Sequence, residues 1–219
     1  MQLTSDTPPY SESSFDPHAV TTIDDLVAII GVPKESTANK QTNFLTPLLI
    51  EFLQKSPFYL LATANVNGTC DVSPKGDPAG ALYIPDERTV VLPDRLGNRR
   101  VDSLKNIVTN PHVGLLFMIP GVDETLRLNG HARLTKDPAL LEKMPMRGKL
   151  PNLAIVVEID EVFTHCARSI LRSQLWQPDS WADPSTIPTM AAMSAEQKQR
   201  PAPDESLGKR TEEYRSTLY

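Results

Sequence analysis

The sequence predicts a mainly β protein, a β-barrel of short antiparallel strands with peripheral helices. Three observations predict it. Seven runs rich in β-branched and aromatic residues lie between Phe58 and Thr164, and most of their connections carry Pro, Asp, Asn or Gly. Twenty prolines against ten glycines punctuate the chain, so its regular segments are short. Helical spacing interrupts the β-runs as an insertion, so helices lie around the sheet and do not build it.

Taken in order, residues 1–20 combine Pro8, Pro9 and Pro17 with many Ser and Thr. They hold too little apolar surface to offset their ordering entropy and read as a flexible arm. Thr22 then caps a short helix with Asp25 three residues on, Leu26, Ile29 and Ile30 on one face, Gly31 to end it and Pro33 beyond. Thr46-Pro47 reads as cap and first helical position; Leu48, Leu49, Phe52 and Leu53 form a buried stripe, and Ser56-Pro57 stops the helix.

From Phe58 the period changes. FYLLATA, a turn at Asn65 to Gly68, and TCDVSPK predict a hairpin. Further strands are expected at Ala81 to Ile84, Thr89 to Leu92, Val113 to Ile119, Thr125 to Lys136 and Leu153 to Thr164. Between the fourth and fifth, Val101, Leu104, Ile107 and Val108 recur at helical spacing until Pro111, and another short helix is expected from Asp137-Pro138. In TLRLNGHARLT, Leu126, Leu128 and Ala132 alternate with Arg127 and Arg133, while Gly130 permits a bulge. One core therefore spans 21–176. A charged, Pro-containing tail, 177–219, follows, with short helices over Met190 to Gln199 and Ser206 to Ser216.

Composition narrows the function classes. The 219 residues, 40% hydrophobic and 22% charged, suit one soluble domain. A formal net charge of -5 argues against a broad basic surface for nucleic acid. No run approaches the ~18 apolar residues of a membrane span, and the N-terminus lacks a basic then apolar leader, so no membrane contact and a cytoplasmic location are expected. Cys70 and Cys166 read as two small buried thiols, without CxxC spacing. His18, His112, His131 and His165 stand singly, so no metal site is expected. GxGxxG, GxxxxGK[ST] and GxSxG are absent.

The segment PDRLGNRRVDSLKNI, Pro93 to Ile107, carries the strongest chemical signal. A strand end, a Gly-containing turn and a helix start bring Arg95, Arg99 and Arg100 to unpaired backbone N–H groups. A phosphate suits that arrangement. The alternative is a solvated helix start with the arginines paired to Asp94 and Asp102, although arginine is unfavourable beside a helix N-terminus. Ahead of it, SPKGDPAG sets Lys75 and Asp77 around Gly76, a glycine free to take unusual dihedrals.

The order FYLLATANVNGTCDVSPKGD, TVVLPDRLGNRRVDSLKNIVTNPHVGLLFMIPG, ETLRLNGHARLT and HCARSILRSQLW resembles the pyridoxamine 5'-phosphate oxidase-like FMN-binding split-barrel proteins. Most similar is their subgroup of FMN-dependent enzymes of unassigned substrate. The resemblance runs from about Ile23 to Trp176 and is strongest from Ser73 to Gly130. It implies a six-stranded antiparallel split barrel, a homodimer, and FMN in the interface between protomers. It implies phosphate contacts from Asn98, Arg99, Arg100 and Ser103. Val72, Ser73, Pro74 and Lys75 would lie near the isoalloxazine and ribityl chain, with Pro93, Asp94 and Arg95 at the next strand end. The facing protomer would add Arg127, Arg172, Ser173 and Trp176. The chain departs from the vitamin-converting oxidases in lacking their Arg-x-His signature near the C-terminus, which speaks against pyridoxamine phosphate as substrate. The function expected is an FMN-dependent oxidoreductase acting on an unidentified small molecule or electron donor, with Lys75 or Arg127 as the cation that stabilises reduced flavin. The alternatives are a non-catalytic flavin- or haem-binding protein and a deazaflavin-dependent reductase.

Overall fold

A computed structural model describes residues 16, 18–201, 211, 212, 214, 215 and 218. Most of the expected arm, 1–20, and of the helix expected over Ser206 to Ser216 lies outside the described residues. The chain divides into two compact units, Met1–Lys40 and Gln41–Tyr219.

In the first unit, α1 (Ile23–Ile30) begins where its cap predicts: the Thr22 hydroxyl oxygen accepts from the Asp25 N–H, and Gly31 ends the helix at φ 85°. None of its residues is buried. A single turn, α2 (Glu35–Ala38), follows without a side-chain cap, which is why no sequence signal marks it.

The second unit opens with α3 (Pro47–Lys55), capped by Thr46 and ended at Ser56. Its inward stripe is Leu49, Ile50, Phe52 and Leu53. Leu48, expected in that stripe, is exposed, because it lies one position before Leu49 and turns off the edge of the buried face.

All seven expected strands form: β1 (Phe58–Ala64), β2 (Cys70–Gly76), β3 (Tyr83–Asp86), β4 (Thr89–Asp94), β5 (His112–Met118), β6 (Thr125–Thr135) and β7 (Leu153–His165). They make one antiparallel sheet in the order β2-β1-β5-β6-β7-β4-β3. Two corrections follow: the fold is mixed α/β, with seven α-helices among the described residues, and the sheet has seven strands where the family resemblance implied six. The seventh is short β3, which pairs with β4 through only Tyr83↔Val91 and Asp86↔Thr89. Strands β2 and β4 are far apart in the sheet order, yet Lys75 reaches Asp94 and Arg95 reaches Asp77. The sheet therefore curls until its two sides meet through side chains, with no backbone ladder closing it.

Alternation places the core. Tyr59, Leu61, Leu115, Phe117, Leu126, Leu128, Val157 and Val162 point inward from β1, β5, β6 and β7. Burial of this kind contributes roughly 1.5–3 kcal/mol for each large side chain. At Asn129/Gly130 the register of β6 on β7 shifts, the bulge that Gly130 predicts. A Cβ on Gly130 would stand 2.0 Å from the Glu158 carbonyl oxygen, so only glycine fits.

Helix α4 (Asp102–Thr109) seats Ile107 in the core and Leu104 against it, while Asn106 donates to Thr63 Oγ1 at 3.0 Å. Val108, expected inside, is exposed because the narrow inward face is filled by Ser103 and Ile107. Helices α5 (Pro138–Leu141), α6 (Arg168–Ser173) and α7 (Met190–Gln197) follow, with two single 3-10 turns, Pro178–Ser180 and Pro184–Thr186, between the last two. Both cysteines are exposed, against expectation: Cys70 opens the edge strand β2 on its outward side, and Cys166 follows the last residue of β7. No described helix is long and apolar enough to cross a membrane.

Candidate functional site

Strand β2 presents a polar inner face by simple alternation: Asp71, Ser73 and Lys75 are half-buried, while Cys70, Val72, Pro74 and Gly76 are exposed. Helix α4 packs against that face. The buried Ser103 hydroxyl donates to Asp71 Oδ2 at 2.6 Å and lies 2.8 Å from Ser73 Oγ, which is itself 3.0 Å from Asp71 Oδ2. One carboxylate thus holds two hydroxyls, one from each element, and fixes α4 on β2.

The approach to α4 is strained. Asn98 Oδ1 accepts from the Arg100 N–H, and within this tight turn Arg99 and Val101 take left-handed φ values of 60° and 54°. Such backbone costs about 1–3 kcal/mol at a non-glycine residue and persists where the surroundings impose it. No side chain caps α4, so the N–H groups of its first turn face outward without an intrahelical partner. Their partial positive charge and Arg99 share the wall of a cavity of about 470 Å³, which Ser73, Lys75 and Arg95 also line.

The cations there are not equally available. Arg100 hydrogen-bonds Asp102, which holds that carboxyl below its ordinary range and raises the guanidinium's own pKa. Lys75 pairs with Asp94 at 3.2 Å and Arg95 Nε with Asp77 at 2.8 Å. Among the described residues, buried Nη2 of Arg95 has no hydrogen-bond partner. Among the described residues, no carboxylate pairs with Arg99. Asp102 is the partner that the sequence alternative offered, but Asp94 belongs to Lys75. An anionic group at the start of α4 would meet Arg99, the helix N–H groups and the Arg95 edge together.

Of the sequence-predicted residues, Ser73, Pro74, Lys75, Asp94, Arg95, Asn98, Arg99, Arg100 and Ser103 line this one cavity. The Val72 side chain points away, on the outer side of β2. Pro93 is buried and lines an adjoining cavity of about 190 Å³ with Tyr59 and Arg95. Gly76 ends β2 with ordinary strand geometry and does not use the unusual dihedrals open to it.

Arg127, Arg172, Ser173 and Trp176 lie away from the cavity of their own chain. The Arg127 guanidinium stacks 4.5 Å over Phe163 and stands 3.9 Å from Glu161. Arg172 is exposed on α6, Ser173 Oγ donates to the Ile170 carbonyl, and Trp176 Nε1 donates to the Val122 carbonyl at 2.9 Å. Sequence reasoning passed over Asp71 and Tyr59. Asp71 was findable, two positions before Ser73 and so on the same strand face. Tyr59 reads only as core, yet burial, with Asp77 and Asp94 nearby, pushes its phenol pKa upward.

Comparison with known proteins bears on residues 45–166, more than half of the chain, which match the model of the pyridoxamine 5'-phosphate oxidase family. Among solved structures, HupZ of Group A Streptococcus is 17% identical and aligns over 55% of this chain and 93% of its own, with a TM-score of 0.44. An FMN-binding protein of Syntrophomonas wolfei is 11% identical over 53% and 88%, TM-score 0.40. An FAD-binding protein of Mycobacterium smegmatis is 19% identical over 57% and 97%, TM-score 0.39. No curated protein matches the sequence.

Proposed function

The chain belongs to the pyridoxamine 5'-phosphate oxidase family, and from that premise we propose that it is an FMN-dependent oxidoreductase, a homodimer with FMN at the α4 cavity. The observation that carries this reading is the start of α4: an uncapped helix N-terminus and, among the described residues, Arg99 without a carboxylate partner and a buried Arg95 nitrogen still lacking an acceptor. These groups fit a phosphate monoester, which offers several acceptor oxygens and a double negative charge.

Arg99 and the N–H groups of Asp102 to Leu104 would hold the phosphate, and the strained turn at Asn98 to Val101 keeps them preorganised. Asp71 orients the Ser73 and Ser103 hydroxyls, so both are fixed before a ligand arrives. When bound, FMN supplies reversible two-electron transfer. Lys75, held by Asp94, is the cation on this cavity suited to offset negative charge on the ring system; Arg127 lies outside the cavity of its own chain, stacked on Phe163 and 3.9 Å from Glu161, with its buried Nε lacking a partner among the described residues. The sequence carries no Arg-x-His signature, which speaks against pyridoxamine phosphate as the substrate.

Purified protein should be yellow with flavin bands, or become so on reconstitution with FMN, and should turn over NADH or NADPH with an acceptor panel. A protein that holds FMN which neither donor reduces would overturn the oxidoreductase reading. One that does not take up FMN would overturn the cofactor assignment.

A further inference from the structure

We propose that His112 and His131 form a two-imidazole site for a late first-row divalent metal ion, on the outer side of β5 and β6 and independent of the flavin reading. The two residues are register partners, and their Nε2 atoms stand 3.1 Å apart. Each ring is already committed at its other nitrogen. His112 Nδ1 lies 2.8 Å from Asn110 Oδ1, an atom that also accepts from the His112 backbone N–H and is therefore an acceptor. His131 Nδ1 lies 2.7 Å from Asp160 Oδ2. Both Nδ1 atoms are therefore donors, and in the neutral form of the rings both Nε2 atoms offer lone pairs.

Two lone pairs facing at 3.1 Å repel unless something positive joins them. The ring centroids are 4.5 Å apart with the planes tilted by 55°, farther apart than the two Nε2 atoms, so the Nε2 sides of the rings face each other. Metal–imidazole bonds of about 2.0–2.1 Å set two nitrogens roughly 2.9 Å apart at a right angle and roughly 3.4 Å apart at a tetrahedral angle. The observed separation falls between. Ligating histidines characteristically donate their other N–H to a carboxylate or carbonyl oxygen, as Asp160 and Asn110 accept here. Glu158, opposite His131 in register and exposed, adds a second carboxylate to a face that also carries Arg133. Among the described residues no group of three or more His, Cys, Asp or Glu could hold a metal, so water completes the coordination and the ion exchanges freely.

Imidazole ligation and the ordinary order of divalent affinities make Cu2+ the tightest probe. Titration of untagged full-length protein with Cu2+ alone, followed by calorimetry and electron paramagnetic resonance, should show one saturable site with two equatorial nitrogens. His112→Ala and His131→Ala should each weaken binding at least tenfold, and Asp160→Ala roughly tenfold by releasing the His131 ring. His18→Ala and His165→Ala should leave it unchanged. The proposal is overturned if no saturable site exists, the rings sharing a proton instead. It is equally overturned if the His112→Ala, His131→Ala double variant still binds like wild type.

Discussion

The strands β1, β5, β6 and β7 and the wall formed by β2 and α4 are built on opposite terms. In the first region, apolar side chains alternate inward and every strand is paired on both sides. In the second, the inner face carries Asp71, Ser73 and Lys75, the helix start lacks a side-chain cap, and two non-glycine residues hold left-handed backbone. The first region has spent its residues on stability. The second keeps donors unsatisfied and tolerates strain, as the proposed ligand site requires.

Substitutions that separate the two regions should behave differently. Phe117→Ala, in a fully buried position, should cost about 3–5 kcal/mol in denaturant unfolding and affect flavin only through loss of the fold. Arg99→Ala should do the reverse, lowering FMN affinity by about 1.5–3 kcal/mol with an unchanged melting temperature. Arg100→Ala should cost less than Arg99→Ala, because Asp102 already occupies its guanidinium. Equal losses from both would contradict the division of roles. Gly130→Ala should destabilise by about 1–3 kcal/mol, since its methyl meets the Glu158 carbonyl and the bulge must open. A melt unchanged from wild type would show that β6 and β7 can slide apart there at no cost.

The smallest effect concerns pH. Burial raises the Tyr59 phenol pKa in the folded protein above its ordinary value near 10. Its neutral form therefore adds stability that is full below about pH 10 and is lost progressively above it. Thermal melts across the alkaline range should fall more steeply for wild type than for Tyr59→Phe, which keeps the packing and removes the proton. Parallel curves would mean that Tyr59 ionises without penalty.

The same contrast explains what could be read in the sequence. All seven strands are legible because alternation and turn residues are local signals. The Thr22, Thr46 and Asp137 caps are legible for the same reason. Neither α2 nor the exposure of Cys70 is, since the one has no capping side chain and the other depends on β2 lying at a sheet edge. The charged segment Pro93 to Ile107 reads as an anion site, but its internal pairing does not follow from spacing. Arg95 finds Asp77 and Lys75 finds Asp94 across 18 and 19 residues because the sheet curls, a consequence of tertiary structure alone.

The central claim is that the turn from Asn98 to Val101 and the start of α4 hold the phosphate of FMN. Titrating wild type and Arg99→Ala with FMN and with riboflavin, by quenching of flavin fluorescence, compares ligands that differ only in that phosphate. The account predicts that wild type prefers FMN by tenfold or more and that Arg99→Ala loses most of the preference while binding riboflavin as before. Equal wild-type affinity for the two flavins, or a preference that survives in Arg99→Ala, would contradict it.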